Sequence, residues 1–228
     1  MTLALYAHPF SSYSQKALVA LYANDIAFEY RNLEDPVHQR ALEALWPMKR
    51  FPVLVDGTRI DGTPADGDRT VIEATAIIEY LHVRHPGPVR LLPDDAVAAV
   101  KVRMLDRFFD NYVSTPQQKV VFDAIRTEAD RDPYGVAEAR RMLDTSYAWL
   151  ERHLEDGRPW AAGDSFSLAD CAAAPFLFYA DWTHRIPEAC ARVHAYRARL
   201  LAYPAFARAV EEARPFRSYF PLGAPDRD

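Results

Sequence analysis

The chain has 228 residues, of which half are apolar and 26% are charged, so it can bury the core of one large domain or of two small ones. The net charge of −5 argues against nucleic acid as a main partner, because nucleic-acid-binding proteins usually carry a basic excess. The sequence shows no apolar run near the roughly 20 residues that span a bilayer, and no signal peptide is recognisable. We therefore expect a cytoplasmic protein that neither crosses a membrane nor binds nucleic acid.

The first 84 residues alternate between strand and helix patterns. Strands are predicted at residues 3–7, 26–30 and 51–55, with a further strand returning between residues 58 and 72. Helices are predicted at 14–22, 37–45 and 73–82, where the apolar residues follow helical spacing. The order β-α-β-α-β-β-α is typical of a small α/β domain with a mixed sheet, and we expect it to span residues 1–84.

The rest of the chain has no strand pattern after a break rich in proline and glycine. Residues 85–93 are predicted to be a linker. Residues 94–228 are predicted to form an all-α domain, beginning with a long helical stretch over 96–125 that bends or breaks at Pro116. Further helices are predicted at 135–154, 167–182, 189–201 and 204–213. Ser167 and Asp170 have the spacing of a capping box, which places the start of the most apolar helix.

The two cysteines give no pattern of their own. Cys171 and Cys190 lie outside any CxxC motif and have no neighbouring metal ligand at short spacing. We expect both to be reduced and to serve as small apolar side chains, with a disulfide or a reactive thiol as the alternative. No metal site is predicted.

The turn from the first strand into the first helix carries the densest group of hydroxyls. Ser11, Ser12 and Tyr13 stand where the helix offers unpaired backbone N–H groups and a partial positive charge. A hydroxyl in that position can donate a hydrogen bond to a bound thiolate. We therefore expect any chemistry to take place at this turn.

Four motifs follow one another in the expected order along the chain and carry a family resemblance. They are the Ser-rich turn, then Phe51-Pro52-Val53-Leu54, then Glu73-Ala74-Thr75-Ala76-Ile77, then Phe166-Ser167-Leu168-Ala169-Asp170. Together they resemble a cytosolic glutathione transferase, a bacterial one with a serine-type turn like that of zeta or omega members. The resemblance implies a thioredoxin-like domain followed by a helical domain, a homodimer, and glutathione as cosubstrate for attack on a small hydrophobic electrophile.

The resemblance also implies a binding role for residues near the third strand. The glutathione-binding set that it implies is Ser11, Ser12, Tyr13, Arg50, Phe51, Pro52, Glu73 and Ala74. Phe51 precedes the proline that is cis in the family, and its backbone would bind the cysteinyl group. Arg50 would pair with the glycine carboxylate, with Lys49 as a substitute. The alternative interpretation of Phe51-Pro52 is an ordinary edge-strand start, and that of Arg50 is plain surface charge.

The glutamyl end of glutathione falls at the third helix in this resemblance. Glu73 would face the ammonium group, while the helix N-terminus suits the carboxylate. The family has a serine in the next position, whereas this chain has Ala74, so one hydroxyl donor is missing. Thr75 offers another hydroxyl nearby, but its side chain points about 100° further around the helix. The alternative for Glu73 is a helix-start carboxylate without a ligand.

Several hydroxyls compete to activate the glutathione thiol. We expect Ser11 to do so, with Ser12, Tyr6 and Tyr13 as alternatives. A hydroxyl in place of a cysteine favours conjugation or isomerisation over thiol reduction.

Aromatic residues are candidates for the electrophile pocket. Phe10, Phe108 and Tyr112 are expected to line it between the two domains, with ordinary core or dimer surface as the alternative.

Residues 58–70 are predicted to be an acidic, turn-rich insertion next to the glutamyl pocket. It would either line the site or form a surface loop.

Two rival functions are compatible with the sequence. A cis–trans isomerase acting on a maleyl-type acid is one of them, although that reaction would require more cations near the first helix than Lys16 alone. A glutathione-binding or regulatory protein without turnover is the other.

Overall fold

The computed structural model describes residues 3–58 and 64–228. The strands are β1 (Leu3–Ala7), β2 (Glu29–Asn32), β3 (Val53–Thr58) and β4 (Pro64–Ile72). The helices between and after them are α1 (Ser12–Ala23), α2 (Pro36–Leu45) and α3 (Ala74–Arg84). The predicted order of strands and helices in this half is confirmed.

The four strands form one mixed sheet in the order β2-β1-β3-β4. Strand β1 pairs in parallel with β2 and antiparallel with β3, and β3 pairs antiparallel with β4. Leu5 lies opposite Tyr30 on one side and Leu54 on the other. Leu5 and Leu54 are fully buried, and α1 packs its buried residues against this sheet. The carboxyl end of β1 therefore delivers the chain directly to the N-terminus of α1.

The prediction of an acidic loop over residues 58–70 is wrong where the structure describes that segment. Residues 64–70 belong to β4, which pairs with β3 from Thr58 opposite Pro64 to Val53 opposite Ile72. The register shifts between Asp56 and Thr58. Ladder pairing with β3 outweighs the low strand preference of a segment rich in Asp and Gly. Residues 59–63 of the predicted insertion lie outside the described residues.

The second half is helical. Its helices are α4 (Ala96–Phe108), α5 (Thr115–Ala124), α6 (Pro133–His153), α7 (Leu168–Thr183), α8 (Ala191–Ala202) and α9 (Pro204–Ala213). Apart from an isolated bridge between Trp160 and Gly163, the described residues after 95 form no β-pairs. The α/β half followed by an all-α half confirms the predicted fold class.

A π-helical segment, Phe109–Ser114, joins α4 to α5 where the sequence predicted a bend at Pro116. A proline lacks the N–H that would bond a carbonyl in the preceding turn. The Ser146 hydroxyl on α6 donates to the Tyr112 carbonyl at 2.8 Å, and the Thr115 hydroxyl donates to the Asp110 carbonyl at 2.9 Å. Side chains thus satisfy carbonyls of this turn, and the chain continues into α5 without a loop.

Helix α7 is the buried centre of the helical half, as the sequence predicted. Its capping box is present, with Asp170 accepting the Ser167 N–H at 2.9 Å and the Ser167 hydroxyl at 2.8 Å. The same carboxylate accepts the Ala161 N–H at 2.8 Å and the Tyr196 hydroxyl at 2.6 Å. Burial raises the pKa of Asp170, against the lowering effect of these donors. Asp170 therefore fixes α7, α8 and the preceding loop to one another.

Two of the predictions from composition are tested here. Cys171 and Cys190 are free and buried, and burial raises the pKa of the Cys171 thiol. Within residues 3–58 and 64–228, none of the helices is long and apolar enough to cross a membrane.

Candidate active site

Ser11 is the N-cap of α1, at the end of the turn that follows β1. Its backbone is extended, with φ −90° and ψ 125°, and its Oγ accepts the Ser14 N–H at 3.3 Å. The Ser11 hydroxyl donates to no described residue, so its proton is available to a ligand. Ser14 is fully buried, and its Oγ accepts the His8 N–H at 3.3 Å. The sequence fixes this turn locally, and it presents one half-buried hydroxyl beside free helix N–H groups.

The Phe51–Pro52 peptide is cis, as the family resemblance predicted. Phe51 is 37% exposed and stands two residues before β3 begins. Its backbone bonds to no described residue. An extended ligand can therefore pair with this backbone as a strand would.

Ser11 and Phe51 face the same cleft of about 400 Å³. The lining residues are Ser11, Tyr13, Trp46, Lys49, Arg50, Phe51, Pro52, Glu73, Ala74, Gln118 and Phe122. Loops of the α/β half form one wall, and Gln118 and Phe122 of α5 form the other. The structure thus brings together the predicted binding residues of three separate segments. Ser12 is half-buried and does not line this cleft.

A second cleft of about 430 Å³ adjoins the first. It is lined by Tyr13, Lys16, Glu73, Ala74, Thr75, Ala76, Glu79, Arg107 and Asp110. Tyr13, Glu73 and Ala74 line both clefts, so the two form one groove. We call it the interdomain groove, because its walls come from both halves of the chain.

Glu73 marks the middle of this groove with a strained backbone. It precedes α3 with φ 67° and ψ 122°, and it makes no side-chain cap to the helix. The left-handed region is unfavourable for a residue with a Cβ, and strain of this kind concentrates at functional sites. Its carboxylate is exposed, while Ala74 beside it is buried. The absence of a capping side chain leaves the first N–H groups of α3 open to a ligand.

Lys49 and Arg50 differ in their availability to a ligand. Lys49 also has a positive φ, 55°, and its Nζ lies 2.7 Å from the Glu43 carboxylate. Arg50 is exposed, and its guanidinium has no ion pair or hydrogen bond with a described residue. Of the two cations at this end of the groove, Arg50 is the one whose charge is not already balanced.

Lys16 is completely buried, and two carboxylates of the helical half balance its charge. Its Nζ lies 2.7 Å from Asp106 and 2.8 Å from Asp110, and it donates to the Thr75 hydroxyl at 2.8 Å. Burial raises the pKa of Asp110, while Lys16 and Arg107 act against that rise. The side chain that the sequence offered as a cation for an acidic substrate is therefore a structural tie between α1, α3 and α4.

The two tyrosines that compete with Ser11 have different surroundings. Tyr13 lines both clefts, and burial raises the pKa of its hydroxyl, so at neutral pH it can donate a hydrogen bond but does not act as a base. Tyr6 is 3% exposed, accepts a hydrogen bond from Arg31, and lies under the Arg31 guanidinium at 5.0 Å. Tyr6 lines neither cleft.

The three residues predicted for the electrophile pocket line neither of the two clefts that form the interdomain groove. Phe10 packs against Tyr179 and Trp182, with ring centroids 5.4 Å and 6.5 Å away. Phe108 and Tyr112 pack against each other, with ring centroids 5.9 Å apart. Phe10 thus packs on α7, whereas Phe108 packs on Trp149 of α6 with ring centroids 4.3 Å apart.

Sequence reasoning missed groove residues in two places. Trp46 ends α2 and lines the groove, although its pairing with Pro47 indicated only a helix end. Gln118 and Phe122 lie one turn apart on α5, and Phe122 is 46% exposed. An exposed aromatic residue four positions from a polar one is a weak signal, and only the fold shows what it faces.

Comparison with known proteins identifies the family. Residues 5–89 match the model of the glutathione S-transferase N-terminal domain, and residues 133–199 match that of the C-terminal domain. A glutathione S-transferase-like protein, LUC7 of Fusarium sp, is 34% identical over 72% of this chain and 71% of its own length. A probable maleylacetoacetate isomerase of Vibrio cholerae is 25% identical over 94% of this chain and 98% of its own.

Solved structures agree with these matches. A glutathione S-transferase from Methylobacterium radiotolerans, crystallised with glutathione sulfonate, superposes with a TM-score of 0.73 and 27% identity. The match covers 92% of this chain and 95% of that one. Both domain models, a relative above 30% identity and the shared fold agree. The chain belongs to the glutathione S-transferase family.

Proposed function

We propose that this chain is a glutathione-dependent enzyme that binds glutathione in the interdomain groove and directs its thiol at a small hydrophobic electrophile. The observation that carries the proposal is the unpaired backbone of Phe51, which opens on the same cleft as the Ser11 hydroxyl. The relative from Methylobacterium radiotolerans, crystallised with glutathione sulfonate, supports the same ligand.

The chemistry of the groove suits an extended tripeptide with charges at both ends. Arg50 offers an unbalanced cation for the glycine carboxylate at one end. The Phe51 backbone pairs with the cysteinyl amide groups in the middle. Glu73 and the uncapped N-terminus of α3 suit the ammonium and the carboxylate of the glutamyl group at the other end. Pro52 fixes the turn, and Tyr13 and Ala74 complete the proposed set, from which Ser12 is left out because it does not line the cleft.

Ser11 is the proposed thiol activator. A free thiol with a pKa of about 8.5 is only a few per cent ionised at neutral pH, and the thiolate is the nucleophile. The Ser11 hydroxyl donates a hydrogen bond to the sulfur, and the positive end of α1 stabilises the negative charge. The proton leaves to solvent, and the thiolate then supplies the electron pair for the new carbon–sulfur bond.

The electrophile is proposed to enter from the helical side of the groove. Phe122 is exposed in the cleft that holds Ser11, and Phe10 precedes Ser11 in the chain. Phe108 and Tyr112 keep their proposed role as a more distant apolar wall, facing a long substrate.

A maleyl-type cis–trans isomerisation is a second candidate, favoured by the relative from Vibrio cholerae that carries the name of such an isomerase. Both reactions begin with addition of the thiolate to an electrophilic carbon. In conjugation the product keeps the sulfur, whereas in isomerisation glutathione is expelled after rotation about the former double bond. The charge balance of Lys16 favours conjugation, because it leaves that cation unavailable to a dicarboxylate.

Steady-state kinetics separates these functions. With glutathione and chlorodinitrobenzene, a transferase consumes one glutathione per chloride released, and the thioether product absorbs in the near ultraviolet. With a cis maleyl keto acid, an isomerase converts the substrate while free glutathione stays constant. Turnover in neither assay, with glutathione still bound in a calorimetric titration, would support the non-catalytic binding protein instead.

The organisation of the molecule is part of the proposal. We assign residues 1–84 to a thioredoxin-like domain, 85–93 to a linker and 94–228 to the helical domain. A homodimer is proposed because α4 exposes an apolar stripe of Val97, Val100 and Met104, which are 79%, 63% and 55% exposed. A cytoplasmic location is proposed with it, since intracellular pools supply glutathione.

A further inference from the structure

Arg107 on α4 lies at the end of the interdomain groove opposite Arg50. Its side chain is 50% exposed and lines the same cleft as Glu73 and Ala74. One edge of the guanidinium is occupied, since Nε and Nη2 lie 3.1 Å and 2.6 Å from Asp106 Oδ2. Nη2 also contacts Asp110 and Thr75. Nη1 makes no hydrogen bond with a described residue, so two N–H donors remain free.

The buried tie around Lys16 holds this guanidinium in place. Asp106 and Asp110 are both buried, and each also pairs with Lys16. The cluster contains two cations and two carboxylates, so its formal charge is zero. Burial lowers the pKa of Arg107, but its bonds to Asp106 and Asp110 outweigh that effect and raise it. The fork of Arg107 is thus fixed in direction before any ligand arrives, which reduces the entropy lost on binding.

The position of Arg107 relative to α3 defines what it can reach. Its Nη2 contacts the hydroxyl of Thr75, the second residue of that helix. Because Nη1 is part of the same guanidinium, it lies close to the open N–H groups at the start of α3. Ala74, at the first helical position, supplies no side-chain donor there. Glu73 lies beside it with an exposed carboxylate.

We propose that Arg107 binds the α-carboxylate of the glutamyl group through Nη1, supplying from α4 the donor that Ala74 lacks on α3. The inference rests on the proposed binding of glutathione in this groove. The α-carboxylate lies between the Arg107 fork and the N-terminus of α3, and Glu73 receives the neighbouring ammonium. Arg107 is then a specificity-determining residue for ligands with a free α-amino acid group.

Paired changes in protein and ligand test this assignment by calorimetry. The protein variants are Arg107→Gln and, as a matched control on the same helix, the exposed Lys101→Gln. The ligands are glutathione and γ-aminobutyryl-cysteinyl-glycine, which keeps the ammonium but has hydrogen in place of the α-carboxylate. Because a hydrogen bond between charged groups contributes strongly to the binding free energy, Arg107→Gln should weaken glutathione binding by about 10- to 100-fold. The same variant should change the affinity for the analogue by less than about threefold.

Each other outcome has a distinct meaning. Equal weakening of both ligands by Arg107→Gln, or of neither, would overturn the role of Arg107 while leaving glutathione binding intact. No glutathione binding to the wild type would overturn the proposed function, and this inference with it. Asp106 and Asp110 keep Lys16 as a partner in the variant, so we expect it to fold, and thermal unfolding checks this. Arg107→Lys keeps the charge without the fork and should give an intermediate loss for glutathione alone.

Discussion

Ser11 combines two roles in one side chain, because its oxygen accepts a backbone bond while its proton is available to a ligand. The hydrogen bond from the Ser14 N–H fixes the Ser11 hydroxyl at the N-terminus of α1. Ser12 lies one residue further, inside the helix and outside both clefts. The choice between adjacent serines is thus a matter of which of them caps the helix.

Replacing Ser11 with Ala should lower kcat/KM for chlorodinitrobenzene by about 10- to 1,000-fold, because one donor to the developing anionic sulfur is removed. The KM for glutathione should change by only a few-fold. Ser12→Ala is the matched control and should stay within about threefold of wild type. Loss of the cap should also cost about 1 kcal/mol of unfolding free energy. Unchanged turnover in Ser11→Ala would contradict the assignment.

Arg50 and Lys49 are neighbours with the same charge, yet only Arg50 lacks a described partner. Arg50→Ala should therefore raise the Kd for glutathione by about 3- to 30-fold, in the range of a partly exposed charged contact. Lys49→Ala should change it by less than about twofold. Titration calorimetry compares them directly, and the reverse ranking would show that Lys49 holds the glycine carboxylate.

At the scale of the element, the sequence was most informative where local chemistry decides the structure. The capping box at Ser167 and Asp170 predicted where α7 begins, because two side chains and two backbone groups fulfil each other's hydrogen bonds. Strand β2 was predicted at 26–30 but occupies Glu29–Asn32, since its position depends on pairing with β1. Strand β4 was predicted only as a return between residues 58 and 72, and its bounds, Pro64–Ile72, likewise depend on pairing with β3.

The candidate site was predictable only in part. Ser11 and the Phe51–Pro52 peptide could be predicted, because each belongs to a short motif that is contiguous in the sequence. The tie of Lys16 to Asp106 and Asp110 joins residues about ninety positions apart, and nothing near Lys16 in the chain indicates those partners. Burial and long-range pairing thus decide which charges are available to a ligand.

Asp170 gives a prediction for the element it caps. Asp170→Ala leaves two buried N–H groups and two hydroxyls without their acceptor, so the free energy of unfolding should fall by about 2 to 5 kcal/mol. Asp164→Ala, an exposed change in the preceding loop, is the control and should have an effect below about 0.5 kcal/mol. Denaturant unfolding measures both, and a small loss in Asp170→Ala would contradict the role of this carboxylate.

At the scale of the whole molecule, the two halves are joined by polar as well as apolar contacts. Lys16 ties α1 to α4, and Gln15 donates to the Tyr179 hydroxyl of α7 at 3.1 Å. Apolar residues of α1 such as Val19 and Ala20 belong to the same buried cluster as those of α7. These contacts hold the two walls of the groove together, so the ligand-binding geometry is largely formed before glutathione enters.

The apolar stripe on α4 gives a prediction for the assembly. Val100→Asp should raise the dimer dissociation constant by at least about tenfold, because a charge would be buried at the centre of the proposed interface. Val37→Asp, at an isolated residue of α2 that is 59% exposed, is the control. Analytical ultracentrifugation compares them with wild type, and a wild-type monomer or a dimer unaffected by Val100→Asp would contradict the proposed face.

We propose that the turn at Ser11 stabilises a thiolate of bound glutathione. The most direct measurement is a pH titration of the thiolate ultraviolet absorbance of glutathione in complex with the wild type and with Ser11→Ala. We expect a pKa for the bound thiol at least about one unit below the ordinary value near 8.5 in the wild type, and a return toward that value in the variant. An unshifted thiol pKa in the wild type, or the same lowered value in Ser11→Ala, would contradict it.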